Sequence, residues 1–286
     1  MIVVRVPATS ANCCVGFDCM GMAVDWFGTF SFSSSETLTI EGCPPAYQTE
    51  DNLVVQAFDR VCQALGRPRP PFALKIDSDI PFARGLGSSA TCVVAGLEGA
   101  NAWFGSPLSK EALLALATEM EGHPDNVAPA LFGGVAVSAM QEGEVVSKTL
   151  ETAPWKALVV VPEQTVSTKE ARKVLPAALS FQQAKEQVAN ALLMEVALRE
   201  GDERVLRACS VDALHEPYRK RLIPEYERVK RACAARNLPL WISGSGSTMI
   251  VLALEESRLD ALRNDLSDLA CRKVRIARKG ADVRYE

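Results

Sequence analysis

Pro81-Phe82-Ala83-Arg84-Gly85-Leu86-Gly87-Ser88-Ser89-Ala90-Thr91 is the stretch on which the reading of this chain turns. Before it, Phe72 to Ile76 alternates as a strand; after it, Ser88 to about Phe104 is small and apolar on several faces, as a helix buried against a sheet should be. Strand, Gly-rich loop and helix in that order make a phosphate cradle. Gly85 and Gly87 let the backbone turn tightly and approach an anion, and a helix opening at Ser88 adds unpaired N–H groups and a favourable dipole. The hydroxyls of Ser88 and Ser89 can reach a phosphate oxygen or a magnesium ion, and Arg84 can add a charge-assisted contact. On its own the motif serves a structural turn as well as a ligand. It is not a Walker A loop, since no Gly-Lys-Ser/Thr occurs in the chain. Gly85-x-Gly87-x-x-Ala90 fits the loose dinucleotide fingerprint, but Ser109 to Met120 is patterned as a helix where that motif needs a second strand.

The rest of the chain limits what the cradle can serve. Its 286 residues suffice for two domains, and the formal net charge of −4, with both signs interspersed, gives no broad attraction to nucleic acid or an anionic membrane. Any anion site is therefore local. No apolar run reaches the roughly 18 residues of a spanning helix, and Met1 to Pro7 is too short for a signal sequence, so a cytosolic protein is expected. Nine scattered cysteines without a C-x-x-C pair argue against a disulfide framework and a zinc site. A reactive role for the neighbours Cys13 and Cys14 would require a thiol titrating well below ~8.5. His123 and His215 are the two histidines available to any imidazole chemistry.

Read in order, Ile2 to Val6 is a strand ended by Pro7, and Ala8 to Asp18 is a loop of small polar residues that serves either as a connector or as a binding loop. Strands follow at Met22–Ser33 and Thr37–Glu41, then a helix capped by Asp51 or Asn52 and closed by Gly66. After a helix over Ser106–Met120, Glu121-Gly122-His123-Pro124-Asp125-Asn126 concentrates functional side chains in a loop, with Asp125 or Asn126 the expected cap of a helix through Ala130. Strands at Val135–Met140 and Val145–Leu150 complete the first half, and the boundary is placed near Pro154, giving domains 1–154 and 155–286. In the second half, Ser167-x-x-Glu170 and Ser180-x-x-Gln183 open helices, the first carrying Arg172 and the second ending at Gly201. Ser243 to Ser247 is a Gly/Ser turn between two strands, explained by a hairpin or by a second loop of backbone donors. A last helix and a strand around Lys273–Arg278 end the reading.

Laid out this way, the chain resembles the homoserine kinases of the GHMP small-molecule kinase family, nearly from end to end. The likeness rests on Pro7 to Asn12 with Gly16 to Asp18, the Gly85 to Ala90 cradle, His123 to Pro129, Ser167 to Pro176, His215 to Arg219, and the turn from Ser243 to Thr248. Two departures stand out: Cys13-Cys14-Val15 replaces a usual Leu-Gly-Pro, and Gly246-Ser247 a usual Gly-Pro. Cys14 in a left-handed glycine position would cost about 1 kcal/mol or more. Asn12 and Asp18 keep their spacing, so activity is expected to survive.

The resemblance implies a two-domain α/β (α+β) GHMP fold, with a ribosomal-protein-like N-terminal α/β domain and a ferredoxin-like C-terminal one. It implies transfer of the γ-phosphate of ATP to the side-chain hydroxyl of L-homoserine, giving O-phospho-L-homoserine on the route to threonine, and is compatible with a homodimer. Pro81, Arg84, Gly85, Leu86, Gly87, Ser88, Ser89 and Ala90 would hold the nucleotide's phosphates, and Ser88, Ser89 and Glu121 a Mg2+ ion. Arg172 and Arg219 would take the α-carboxylate of the substrate, and Asn12, Asp18 and His123 its ammonium and hydroxyl ends. Asn126 stands where related sugar and mevalonate kinases have an Asp, so Asn126 and Arg84 are the expected catalytic groups and no side-chain base is expected. The alternatives are another GHMP kinase with a different small alcohol, and a non-catalytic sensor of the same fold; the Glu121 and Ser88-Ser89 set favours a kinase.

Overall fold

The computed structural model describes residues 1–286. A seven-stranded sheet is built on one long strand, β2 (Met20–Ser34), whose alternating burial marks a strand with one covered face. β1 (Ile2–Ala11) lies antiparallel along one edge of β2. Two strands share the other edge: β4 (Phe72–Asp77) pairs with Thr29–Ser34 and β5 (Val135–Gln141) with Met20–Met22. β3 (Thr39–Glu41) joins β4 in parallel, and β6 (Glu144–Leu150) forms a hairpin with β5. Helices α1 (Leu53–Ala64), α2 (Ser88–Trp103), α3 (Lys110–Glu121) and α4 (Pro124–Phe132) cover the apolar face around Phe30, Phe32, Phe58, Phe72 and Leu97.

The second sheet, wholly antiparallel, runs β10 (Ala270–Arg275), β7 (Lys156–Val161), β9 (Met249–Ala253), β8 (Trp241–Ile242). In chain order this is fourth, first, third, second, the ferredoxin-like arrangement. α9 (Tyr226–Ala235) and α10 (Glu256–Asp265) pack Val229, Leu259 and Leu262 on one face. The other face meets α6 (Phe181–Glu200), α7 (Glu203–Cys209) and the near end of β2, so Trp155, Val159, Trp241, Met20, Met22 and Trp26 form one core across the seam. Burial on both faces is why β7 reads Ala-Leu-Val-Val-Val without alternation. No helix is long and apolar enough to cross a membrane.

Several expectations change here. β1 does not stop at Pro7: it continues to Ala11, with a register shift between Pro7 and Ala8 that accommodates a residue lacking an N–H. Thr9 and Ser10 are thus strand residues. α4 begins at Pro124 with His123 as its N-cap residue, so Asp125 and Asn126 lie in its first turn rather than capping it. α3 starts later than expected, after the Ser109 cap. The second sheet begins beside the Pro154 boundary, but the chain does not stay there: β11 (Asp282–Tyr285), unforeseen in the sequence, crosses back to pair with β1. Asn52 and the two capping boxes sit as expected.

β2 and α4 meet without a spacer. A Cβ on Gly21 would lie 1.6 Å from the Asp125 carbonyl oxygen, so Gly21→Ala must push α4 off the sheet. It is expected to lower stability by about 1–3 kcal/mol, read as a fall in Tm; an unchanged Tm would refute the contact.

Candidate active site

Gly85 and Gly87 both adopt positive φ, 76° and 64°. Neither has room for a side chain: a Cβ on Gly85 would meet the Ser243 carbonyl at 2.0 Å, and one on Gly87 the Thr9 hydroxyl at 1.9 Å. Gly87 is the N-cap residue of α2 and supplies no side-chain cap. The first amides of the helix are therefore open to a ligand. Ser88, Ser89 and Ala90 line a cavity of about 490 Å³ between the halves, with Asn12, Asp18, Glu121, His123, Asn126, Arg172 and Arg219 around it. A larger hollow, about 1000 Å³, lies elsewhere along the seam beside Trp155 and Arg278 and contains none of these groups.

The Gly/Ser turn closes one wall. Ser243 Oγ donates to the Gly85 carbonyl at 2.6 Å, the Gly244 amide to Ala11 O at 3.1 Å and the Thr248 amide to Arg84 O at 3.1 Å. The hairpin reading is correct for its strands, but the turn also docks on the cradle, and Gly244 and Ser245 face the cavity. The first loop forms the opposite wall. Asn12, Cys13, Cys14 and Asp18 all have positive φ, a run of strained non-glycine positions. Asn12 holds the loop shut: its side chain accepts from the Asp18 amide at 3.1 Å and donates to Gly244 O at 3.1 Å. Cys14 does take the left-handed conformation, with φ 67°.

From α3 and α4 come the acidic and imidazole groups. Ser89 Oγ donates to Glu121 Oε1 at 2.5 Å. Burial raises the Glu121 carboxyl above its ordinary range, opposed by that hydroxyl and by His123. His123 Nδ1 donates to Asp125 Oδ1 at 2.5 Å, and this bond, more than the surrounding charge, raises the imidazole above its usual value. Thr9 Oγ1 donates to Asn126 Oδ1 at 2.7 Å.

Two cations come from the far half. Arg172, on α5 (Thr168–Lys173), binds Asp18 in a fork, with bonds of 2.9, 3.0 and 3.1 Å. Arg219, on the short helix α8 (Glu216–Arg219), is buried and donates to two neutral acceptors, Ala171 O and Gly244 O, at 3.2 and 2.8 Å. Burial, then the neighbouring Arg172 charge, pulls its guanidinium down to about 10, against the opposing pull of Asp18, Asp125 and Asp212. Both guanidinium groups lie over the Phe17 ring, at 5.6 and 5.1 Å from its centroid.

Three expected phosphate contacts fall outside the cavity. Leu86 is buried in the seam core and Pro81 does not reach the lining. Arg84 turns away: Nε donates to Pro162 O at 3.0 Å and Nη2 to Glu163 O at 2.5 Å, bracing the cradle against the second half. In this structure Arg84 is engaged as a brace and is not aimed into the cavity, unlike the expected catalytic and phosphate-binding placement. A guanidinium beside exposed backbone carbonyls satisfies them better than water can. Sequence reading gave Thr9, Phe17 and Ser245 no role of their own beyond membership of the first loop and the Gly/Ser turn. Thr9 becomes visible only once β1 is carried past Pro7, and Phe17 only as the apolar residue inside a polar loop.

Profiles of the GHMP kinases N-terminal domain and of the GHMP kinases C-terminal domain match residues 52–134 and 194–270. A homoserine kinase of Clostridium botulinum is 41% identical over 261 residues, covering 90% of this chain and 88% of its own. The chain belongs to the homoserine kinases of the GHMP kinase family. A homoserine kinase of Picosynechococcus is also 41% identical, over 89% of this chain and 87% of its own. The crystal structure of the homoserine kinase from Cytophaga hutchinsonii superposes with a TM-score of 0.86 at 28% identity, covering 99% of this chain and 97% of that one. A mevalonate kinase structure, 15% identical with a TM-score of 0.72, shares the fold alone.

All nine thiols are pushed upward, chiefly by burial. None has the lowered value that a reactive role for Cys13 or Cys14 requires. In this homoserine kinase family member, Arg84→Ala is expected to cost about 1–3 kcal/mol of stability through its two carbonyl contacts, while turnover at saturating substrates changes less than threefold. A large loss of kcat with unchanged Tm would restore Arg84 to the chemistry.

Proposed function

We propose that the chain transfers the γ-phosphate of ATP to the side-chain hydroxyl of L-homoserine. The observation that carries this reading is the pairing of an uncapped, glycine-bound helix start with two guanidinium groups from the other half, facing one cavity. The first is a site for a polyphosphate and the second for a carboxylate.

Homoserine arrives as a zwitterion, and the internal ion pair between Asp18 and Arg172 is its mirror image. The substrate inserts into that pair. Its carboxylate takes Arg172 and the buried Arg219, and its ammonium takes the Asp18 carboxylate, which Asn12 positions. Splitting the pair exchanges one set of charge-assisted hydrogen bonds for two, so neither charge is left without a partner. Neutral sugars offer no such exchange. His123, fixed by Asp125, holds the hydroxyl end.

The nucleotide's phosphates lie on Gly85 to Ala90, received by the free amides of α2. Tyr47 and Phe82, both exposed and stacked with centroids 6.4 Å apart beside the cradle, offer a planar apolar surface for the base. Ser88, Ser89 and Glu121 fit a magnesium ion: they are hard oxygen donors, and desolvation holds the half-buried Glu121 carboxyl above its ordinary range, a cost that a bound cation would offset. When bound there, Mg2+ supplies neutralisation of the phosphate charge that develops in transfer.

Transfer itself requires in-line positioning more than covalent help. Asn126 cannot take a proton through its amide; it accepts from Thr9 and donates toward Asp125 at 3.4 Å, which fixes the wall beside the hydroxyl. The hydroxyl proton leaves by way of the phosphate or solvent.

Release of ADP dependent on L-homoserine and MgATP, absent with mevalonate or galactose, tests the reaction. Arg172→Ala should raise the homoserine KM by about tenfold or more, the loss of one charge-assisted contact, with the ATP KM nearly unchanged; equal effects on both would remove Arg172 from the acceptor site. Asp18→Asn should likewise act on the homoserine KM. A collapse of kcat at saturating homoserine would instead make Asp18 the base. Glu121→Gln should raise the Mg2+ concentration needed for half-maximal turnover and weaken Mn2+ binding seen by paramagnetic resonance; an unaltered Mn2+ affinity would exclude Glu121 as a ligand.

A further inference from the structure

The larger hollow along the seam, about 1000 Å³, is cationic in a chain whose formal net charge is −4: six basic and two acidic side chains line it. Arg5 stands on β1, Arg275 on β10, and Arg278 and Lys279 on the segment that crosses from β10 back to β11. All four are exposed and none forms an ion pair within the chain. The two acids are already engaged. Asp25 Oδ1 accepts from the Arg275 amide at 2.7 Å, and Asp282 holds Arg284 at 2.9 Å. Lys156 turns to Leu254 O at 2.9 Å.

The free cations stand on fixed backbone. The Ala277 amide donates to Ala23 O at 2.9 Å and the Ala277 carbonyl accepts from the Gly134 amide at 2.7 Å; the Ala281 amide donates to Ala130 O at 2.7 Å. Arg278 and Lys279 lie between these anchors, where the crossing segment runs so near α4 that a Cβ on Gly280 would lie 2.3 Å from the Leu131 carbonyl carbon. Arg5 rests over the Phe27 ring, 3.8 Å from its centroid. Trp155 and Ala277, 1% and 6% exposed, make an apolar floor. Basic groups placed in advance on rigid supports lose less freedom when they close on an oxyanion.

Cations on β1 and on the crossing segment call for a ligand with more than one anionic group. Two phosphates bring about −3 to −4, which matches the excess of basic over acidic groups in the lining. A membrane surface would meet only the rim of a recess floored by Trp155, and a nucleic-acid strand needs open rings on which bases stack, whereas Arg5 lies over Phe27. We infer that this hollow binds a small soluble anion carrying two or more phosphate groups, bridging β1 and the β10–β11 crossing. It shares no lining residue with the catalytic cavity.

Calorimetric titration of the full chain with sodium tripolyphosphate, in about 0.15 M salt so that diffuse attraction is screened, tests the site. The unmodified protein is expected to bind one more tripolyphosphate per chain than the variant Arg5→Ser with Arg278→Ser. Lys279→Ser alone is expected to weaken that extra site about tenfold, the loss of one charge-assisted contact. Circular dichroism and homoserine-dependent ADP release should be unchanged in both variants, which separates loss of this site from loss of the fold or of the reaction. Equal stoichiometry and affinity in all three proteins would overturn the inference. So would retention of the unmodified protein, but not of the double variant, on anionic lipid vesicles or a short RNA with no extra tripolyphosphate bound, since the cations would then belong to a macromolecular surface.

Discussion

Backbone touching backbone is the constraint on which this molecule depends. At Gly85 and Gly87 the cradle comes so near the Gly/Ser turn and the end of β1 that a single methyl group would overlap them. The contact joins three segments distant in sequence: residues 9–11, 84–87 and 243–248. Because peptide groups cannot rotate out of such a contact, the amides that await an anion are placed by the same packing that joins the two halves. Preorganised donors of this kind cost no rearrangement when charge arrives, which is the physical basis of electrostatic catalysis. Arg84 and Ser243 tighten the arrangement from either side without entering the cavity.

Around this rigid centre stand the charged groups of the cavity. Glu121 is a half-buried acid held above its ordinary range by desolvation, Arg219 a buried cation bonded only to backbone carbonyls, and Asp18 with Arg172 a pair held at the mouth of the cavity. On the proposed reading, these groups would meet the metal, the carboxylate and the ammonium of the reacting set. The seam core beneath, from Met20 and Trp26 to Trp155 and Trp241, contributes no chemistry but keeps the two walls from drifting apart. A shared hydrophobic core of this size joins the two domains and opposes their relative motion.

Much of this was readable from the chain alone. Caps at Asn52, Ser167 and Ser180 rest on local hydrogen bonding, and local signals survive in sequence. The cradle, the His123 segment and the two arginines were likewise legible, because their residue types are rare together. What escaped depends on partners far away in the chain. Pro7 reads as a strand end unless the bulge opposite Phe27 is known. Arg84 reads as a phosphate ligand because sequence cannot show that carbonyls 78 and 79 residues later claim it first. β11 has four residues and no periodicity worth naming; only its pairing with β1 makes it a strand.

That last pairing has a bearing on how the molecule comes into being. β1 precedes the other strands of its sheet in the chain, yet one of its two neighbours follows everything between residues 12 and 281. Until that neighbour pairs, the first sheet has a bare edge, with unmet peptide groups that another chain could use. Pairing of residues 282–285 with β1 closes that edge.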